Sequence, residues 1–558
     1  QDLRYGVRSL GRSWGFTVLV VLTLALGIGA NSVIFSAVNG AVLHPFPFPE
    51  PDRIVGVGTS YPRVGEELGF FENLSPAEFQ DVQSQSRLLQ DVVAWDMGFR
   101  QIDTDGPPTS TFSAFWWGDA LTTLEMDAHL GRGFTEQEVE QNADVAMLSH
   151  RFWQTHFGGD STLLGSAISV NGVPYTLVGI IPEGVLIYGT DLWTVMPFAP
   201  SEWPRNRRQV QVMARTAPGA SLEAVNTELE GIARRVEAEY GGAFEEYADW
   251  RMEAWTWTDV NVSTLRTAAI ILLAAVGFLL LLVCANVANM LLARSTGRRR
   301  EMAVRTAMGA GRRRLVLQLL TESAVLAGVG GLAGLALAWL GTSAAQRYLD
   351  TMGVPVPGQI GMSGNVLLYT VGISVLAGLV FGIAPAVHAV REGVRGVLAG
   401  ESRGATGTGS RQRLLRTFVG LEVAVALVLL VAGGLLVRSL LSLGSVDPGW
   451  SAEQVLTMRV TLPPERYSPD EIEALYPALL ERMEAIPGVA QAATATQFPG
   501  RLFMRDRFAV EGRAIEDVDR LPSAFTTLVS RAYFSTLDLA VIQGRVPDPA
   551  TDSPDDPP

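Results

Sequence analysis

The sequence predicts an α-helical membrane protein with mixed α/β domains outside the membrane, on three observations. Residues 13–43, 267–293, 315–346, 351–390 and 417–437 contain only two acids between them, Glu322 and Glu422. Each stretch is at least as long as the roughly 20 apolar residues a helix needs to cross a bilayer. The segments between them are sorted by charge, and the two longest carry the strand and helix patterns of a mixed fold.

The chain has 558 residues, 48% of them hydrophobic, and all 43 basic residues are arginine. Its net charge of −14 conceals the sorting. Residues 44–262 carry a net −19 and residues 443–558 a net −8, whereas 1–12, 294–314 and 391–416 together carry a net +13. Short arginine-rich loops stay on the cytoplasmic side, while large domains cross largely regardless of charge. The expected order is therefore an interfacial helix at 1–12, a first crossing at 13–43, and an extracytoplasmic domain at 44–262. A second crossing at 267–293, a cytoplasmic loop at 294–314, and crossings at 315–340 and 366–390 follow. A cytoplasmic loop at 391–416, a fifth crossing at 417–442 and a second extracytoplasmic domain at 443–558 complete it. This places the N-terminus inside.

In residues 1–12, Leu3, Val7 and Leu10 share one helical face, and Arg4, Arg8 and Arg12 recur every four residues. A short helix lying in the inner interface fits this pattern; an ordinary basic flank is the alternative. The first apolar run is too long for a cleaved signal and lacks a clear cleavage site, so it reads as a signal anchor. The chain starts with Gln and ends in Pro-Asp-Asp-Pro-Pro, which suggests a fragment. Cys284 is the only cysteine, so no intrachain disulfide is possible and the residue reads as packing.

The first outer domain opens with Pro45, Pro47, Pro49 and Pro51, an extended lead-in. Strands are expected at Ala167–Val170 and Tyr175–Ile181, split by the hairpin signal Asn171-Gly172, and at Gln209–Ala214. Ser221 should cap a helix with Leu222, Val225, Leu229 and Ile232 on one face. In the second outer domain, strands are expected at Gln454–Leu462 and Val489–Thr496. Between them Ser468-Pro469-Asp470-Glu471 starts a helix that runs to about Ile486. The chain also repeats itself. Asp52-Arg53-Ile54-Val55 matches Glu453-Gln454-Val455-Leu456, and Gly131-Arg132 matches Gly544-Arg545.

The sharpest local feature is the segment Arg294–Arg314. Met302, Ala303, Val304, Ala307 and Met308 make an apolar patch on a short helix, Gly309 and Gly311 end it, and arginines flank both sides. A loop needing only positive charge has no use for a capped apolar helix. A docking knob for a cytoplasmic partner is the functional reading, and a solvated loop is the bland one.

These residues also carry a resemblance. Asn286-Val287-Ala288-Asn289-Met290-Leu291-Leu292-Ala293-Arg294, then Arg300-Glu301-Met302-Ala303-Val304-Arg305-Thr306-Ala307-Met308-Gly309-Ala310, then Gln318-Leu319-Leu320-Thr321-Glu322-Ser323 resemble the permeases of MacB/FtsX-type ABC transporters. With Leu24-Ala25-Leu26-Gly27-Ile28-Gly29-Ala30-Asn31 and Phe381-Gly382-Ile383-Ala384-Pro385-Ala386, the chain looks closest to the acidobacterial-type duplicated orphan permeases (ADOP). The resemblance implies a four-helix unit with a large outer domain between its first two helices, occurring twice. One full unit and the start of another would be present here, giving five crossings instead of eight.

By the same resemblance, Arg300, Glu301, Met302, Ala303, Val304, Arg305, Ala307, Met308, Gly309 and Ala310 form the coupling helix that presses on a separate ABC ATPase subunit. The implied function is permease in the cell inner membrane, coupling ATP hydrolysis by that partner to movement of the outer domain and export of an unnamed substrate. Control of an outer hydrolase without transport is the alternative. Further implied partners are a periplasmic adaptor protein, membrane lipid and a pseudo-dimer of two halves in the full-length chain; nucleic acid is not among them.

No catalytic, metal or cofactor site is expected in the chain itself. A Walker A loop needs a lysine, and there is none. His150 and His156 lie six apart, on different helix faces, with no cysteine to join them. A secondary transporter would want polar groups at mid-membrane, whereas Glu322 and Glu422 follow closely on Arg314 and Arg416. For these two intramembrane acids, helix pairing at the inner edge and force transmission between helices both stay open. Gly330-x-x-x-Gly334 and Gly378-x-x-x-Gly382 mark close helix contacts, within the chain or between subunits. Pro385 should kink the fourth crossing.

Overall fold

The computed structural model describes residues 13–60, 73–103, 108–297, 312–352, 360–395 and 408–446 and most of 449–546, apart from isolated positions within these ranges. Residues 1–12, where the interfacial helix was expected, lie outside the described residues, as does 298–311. The helices are α1 (Trp14–Val38), α2 (Pro76–Gln85), α3 (Ala120–Leu124), α4 (Glu136–Glu140), α5 (His150–Phe157), α6 (Leu222–Tyr240), α7 (Trp257–Gly297), α8 (Arg312–Met352), α9 (Gly364–Arg395), α10 (Thr408–Gly444), α11 (Pro469–Glu484) and α12 (Tyr533–Thr536).

Among the described residues, five helical stretches are long and apolar enough to cross a membrane: Trp14–Leu43, Leu265–Leu291, Leu320–Leu349, Gly364–Gly382 and Glu422–Ser439. The fold is thus five membrane-spanning helices with a mixed α/β extracytoplasmic region. The chain divides into a membrane unit, 1–47 with 258–441, and an outer unit, 48–257 with 442–558.

In the membrane unit, α1, α7, α8 and α9 share one core. Val20, Leu24 and Ile28 of α1 meet Val283, Cys284 and Val287 of α7, Leu326 and Ala327 of α8, and Ala377 and Phe381 of α9. Small residues set the spacing. A Cβ on Gly330 would lie 2.7 Å from the Leu24 Cβ, and one on Gly334 3.0 Å from the Ile28 Cβ. Gly378 and Gly382 face Ala327 and Ser323 in the same way, at 2.9 and 3.0 Å. Both small-residue pairs therefore pack within the chain. α10 contributes no residue to this core among those described. α9 runs unbroken as helix through Pro385 to Arg395. α1 ends in a π-helical turn, Asn39–Leu43, closed by the His44 N–H donating to the Asn39 carbonyl at 2.7 Å.

The outer unit is built on one ten-stranded sheet. Its strands are β1 (Ile54–Ser60), β2 (Leu89–Ile102), β3 (Thr109–Trp117), β4 (Leu130–Gly131), β5 (Val145–Ser149), β6 (Ala167–Val170), β7 (Val173–Ile181), β8 (Leu192–Val195), β9 (Gln211–Thr216) and β10 (Arg251–Thr256). Their order is β10–β1–β9–β2–β3–β8–β5–β7–β4. β6 pairs with both β2 and β7, so β2, β3, β8, β5, β7 and β6 close on themselves. The β6–β7 turn is made by Asn171 and Gly172, both at positive φ (53° and 82°), as a two-residue hairpin requires.

Ser221 caps α6, its hydroxyl accepting from the Ala224 N–H at 3.2 Å. Val225, Leu229 and Ile232 of α6, with Phe79 and Val82 of α2, cover one face of β1, β9 and β2. α2 is fixed by a Ser75–Glu78 capping box, and buried Glu78 pairs with Arg208 at 2.9 Å.

The second outer segment carries β11 (Arg505–Arg507) and β12 (Ser523–Phe525), paired antiparallel. Its α11 has the same capping box as α2, Ser468 with Glu471, and again Pro at its start. The turn after α12 reproduces that after α3. Thr123 N–H donates to the Asp119 carbonyl and Met126 N–H to Leu121; correspondingly Thr536 donates to Ala532 and Leu539 to Phe534. Glu125 and Asp538 both take positive φ (52° and 55°), as do Gly131 and Gly544 (76° and 85°). The sequence repeat is therefore also a backbone repeat.

Two strand expectations fail here. Gln454–Leu462 forms no strand among its described residues, and Val489–Thr496 makes only the isolated bridge Ala495–Val529. An apolar alternation becomes a strand only beside a partner. In the first segment β1 has β9 and β10 on its two sides; no partner strand among the described residues flanks 454–460, and Leu456 and Met458 remain exposed.

Replacing Gly330 with Leu should lower the stability of the detergent-solubilised protein by about 1–3 kcal/mol through overpacking against Leu24. Gly433→Leu on α10, with open space around its Cα, should be nearly neutral in the same thermal unfolding experiment.

A second test uses pH. Hydrogen bonds from Arg132, at 2.7 Å to both carboxylate oxygens, are the main cause holding Glu138 at about 2, below the ordinary 4.5. Because the folded value is the lower one, this stabilisation is fully present above pH 4.5 and drains away as pH falls towards 2. Glu138→Gln should therefore lower stability at pH 7 and flatten the acid limb of the unfolding curve, the two proteins converging as pH falls towards 2.

Candidate coupling region and polar contacts in the membrane unit

Arginine flanks and an apolar patch single out Arg300–Ala310, and all ten candidate coupling residues lie outside the described residues. What the structure describes is the pair of helices they join. α7 extends to Gly297 and α8 begins at Arg312, each 41 residues long. Both reach well past the apolar spans, Leu265–Leu291 and Leu320–Leu349, at the ends next to this segment.

The two intramembrane acids sit at the edges of their spans. Glu322 is the third residue of its span and Glu422 the first. Glu322 is buried on α8, beside Ser323, whose side chain lies against Gly382 of α9. Glu422 ties α10 to α7: its Oε2 accepts from the Asn289 Nδ2 at 3.3 Å. Its Oε1 is buried and has no partner among the described residues.

A polar seam not anticipated from the sequence runs along α1. Asn31 Nδ2 donates across to the Val276 carbonyl of α7 at 2.8 Å and back to the Gly27 carbonyl at 2.9 Å. The Ser32 and Thr370 hydroxyls lie 2.8 Å apart, joining α1 to α9. Ser36 donates to the Gly361 carbonyl at 2.7 Å, and Asn39 Nδ2 reaches Ser363 at 3.3 Å. In hydrocarbon such groups need partners, because no water is there to replace them. A signal was available. Ser32 and Ser36 are four apart, as are Thr370 and Ser374, so each pair marks one helix face.

Histidines in the outer unit also meet in a way that spacing along one helix does not reveal. His129 and His150 stand edge to face with ring centroids 4.7 Å apart, both against Trp153, while His156 stacks on Phe152 at 4.2 Å. Among the described residues no three His, Cys, Asp or Glu side chains are placed to hold a metal ion. The arrangement is aromatic packing at the start of α5.

Two stretches of the chain match known protein families. Residues 17–232 match the MacB-like periplasmic core domain, and residues 273–394 match the FtsX-like permease C-terminal domain. The macrolide export ATP-binding/permease protein MacB of Nitrobacter winogradskyi is 26% identical over 395 residues, covering 67% of this chain and 56% of that protein. The MacB protein of Azoarcus sp. (strain BH72) is 28% identical over 401 residues, covering 70% and 58%. The chain thus spans a little over half the length of these relatives. Among solved structures, the periplasmic region of MacB from Actinobacillus actinomycetemcomitans is 13% identical, with a TM-score of 0.30, covering 42% of this chain and 97% of that one.

The α7–α10 contact can be checked directly. With Cys284 replaced by Ser, cysteines introduced at Asn289 and Glu422 should be joined in high yield by a short thiol-specific cross-linker, read by mass spectrometry. A control pair at Asn289 and Val437 should not be joined.

Proposed function

We propose that this chain, which matches the MacB-like periplasmic core domain and the FtsX-like permease domain, is an ABC permease that couples ATP hydrolysis on a partner subunit to export. The observation carrying this reading is the order of the two matched families: a periplasmic core domain held between the first two crossings, then a permease domain. The 558 residues contain no lysine, so an ATP site of the Walker type must lie outside them.

In this reading Arg300–Ala310 is the surface the ATPase grips. Its movement enters through α7 and α8, which the segment joins. From α8 it passes to α1, whose Leu24 and Ile28 are locked against Gly330 and Gly334. Both routes end on adjacent strands. The chain after α1 leads into β1, and β10 leads directly into α7; β1 and β10 pair antiparallel over six residues, from Val55–Thr256 to Ser60–Arg251. Motion of either helix is thereby applied to one two-stranded ribbon of the outer domain. The N-terminus lies in the cytoplasm and the membrane is the bacterial inner membrane. A periplasmic adaptor and a second permease half complete the exporter, as in the duplicated orphan permeases that the sequence resembles. The cargo is a molecule already outside that membrane, because five crossings with a large outer domain suit extrusion better than a wide pore.

Met302→Asp or Ala303→Asp puts a charge into the apolar patch of the coupling segment. Each substitution should leave expression intact and cut transport-linked ATPase stimulation at least tenfold in reconstituted membranes. Unchanged stimulation would remove the docking role from this segment. Stimulation that persists as activation of an outer hydrolase, with no efflux, would favour signalling over export.

A further inference from the structure

On the sheet face opposite the core of Ala94, Phe115 and Trp117, five aromatic side chains come together. β2 and β3 place Trp95 and Trp116 directly opposite each other, with ring centroids 5.1 Å apart. Trp193 of β8 lies 5.0 Å from Trp116, and Trp257, the first residue of α7, lies 5.8 Å from Trp95. Tyr188 closes the group, 6.5 Å from Trp95 and 6.1 Å from Trp257.

The hydrogen bonding in this cluster is uneven. The Trp193 indole N–H donates to the Thr190 hydroxyl at 2.9 Å. The Trp95 and Trp116 indole nitrogens are fully buried, and neither has an acceptor among the described residues. A donor buried without a partner costs far more than a made hydrogen bond returns, and here two stand side by side. Two buried, unpartnered indole donors side by side are suited to receiving an acceptor.

Tyr188 supplies the way in. It is 44% exposed and holds a left-handed backbone (φ 50°) in a turn with Gly189, also at positive φ. Such a conformation is costly for a non-glycine residue and is retained where the surroundings hold it. Partial burial raises the Tyr188 pKa above its ordinary value.

We infer that this cluster binds a neutral amphiphilic molecule, whose carbonyl or ester oxygens accept from Trp95 and Trp116 when Tyr188 swings aside. The apolar body of such a molecule stacks on the indole faces, and none of the five side chains carries a charge that would pair with an anionic headgroup. The inference does not depend on the export reading; the ligand binds whether it is cargo or a regulator.

The test uses the full chain carrying 5-fluorotryptophan, in nanodiscs of ether-linked phosphocholine lipid, which has no ester carbonyl. Dioctanoylglycerol should move the fluorine resonances of Trp95 and Trp116 saturably, while n-hexadecane, apolar but without oxygen, should not. Trp95→Phe, which keeps a ring but loses the donor, should raise the half-saturating concentration read at Trp116 about tenfold. Tyr188→Ala should lower it, and it carries the same two-probe comparison should the tryptophan variants fail to fold. Met302→Asp should leave binding unchanged, which separates this result from the fate of the coupling segment. If dioctanoylglycerol moves neither resonance, or hexadecane moves both equally, the cluster is a core whose donors are met by trapped water and the inference is overturned.

Discussion

The architecture of the membrane unit depends on backbone-close contact between α1 and α8. In lipid, apolar side chains gain nothing by leaving one hydrocarbon surface for another, so helices associate through packing and hydrogen bonds. Gly330 and Gly334 provide the first, admitting Leu24 and Ile28 to distances that any side chain would prevent. The seam of Asn31, Ser32, Ser36 and Asn39 provides the second, on other faces of the same helix. α1 is thus held on several sides, by α7, α8 and α9. Among the described residues α10 is held through Glu422 and Asn289, and its apolar span is not buried by the rest of the chain.

Much of this was legible in the sequence because it is local or periodic. Apolar runs without charges announce crossings, Ser221 and Ser468 announce helix starts, and Asn171-Gly172 announces a hairpin. Small residues four apart at 330 and 334 announce a close contact, although only the structure says with whom. The failures have a common cause. Gln454–Leu462 has the alternation of a strand, yet pairing is a property of two segments and cannot be read from one. The tryptophan cluster escaped notice for the same reason, since Trp95, Trp116, Trp193 and Trp257 lie far apart in sequence and meet only through sheet register. The polar seam on α1 was readable from the spacing of Ser32 and Ser36, but one serine in a membrane helix usually satisfies itself on its own backbone, which masks the pattern.

The repeat between the outer segments has a physical signature finer than residue identity. Asp538 stands where the first copy has Glu125, and Ala532 where it has Asp119, yet the same carbonyls accept from the same amides and the same positions take left-handed backbone. Glycine at 131 and 544 is required by positive φ in both copies. Backbone geometry is thus preserved through side-chain change.

Closure of β2, β3, β8, β5, β7 and β6 into a ring divides the sheet of the outer domain into a closed part and an open part. A closed ladder leaves no free edge among its strands, although here β2 and β6 meet only at Ile102 and Val170. The wing of β9, β1 and β10 is open, and β10 is its terminal strand. The sheet therefore has two topologically distinct parts, a ring closed through the Ile102–Val170 pair and a wing that ends at β10.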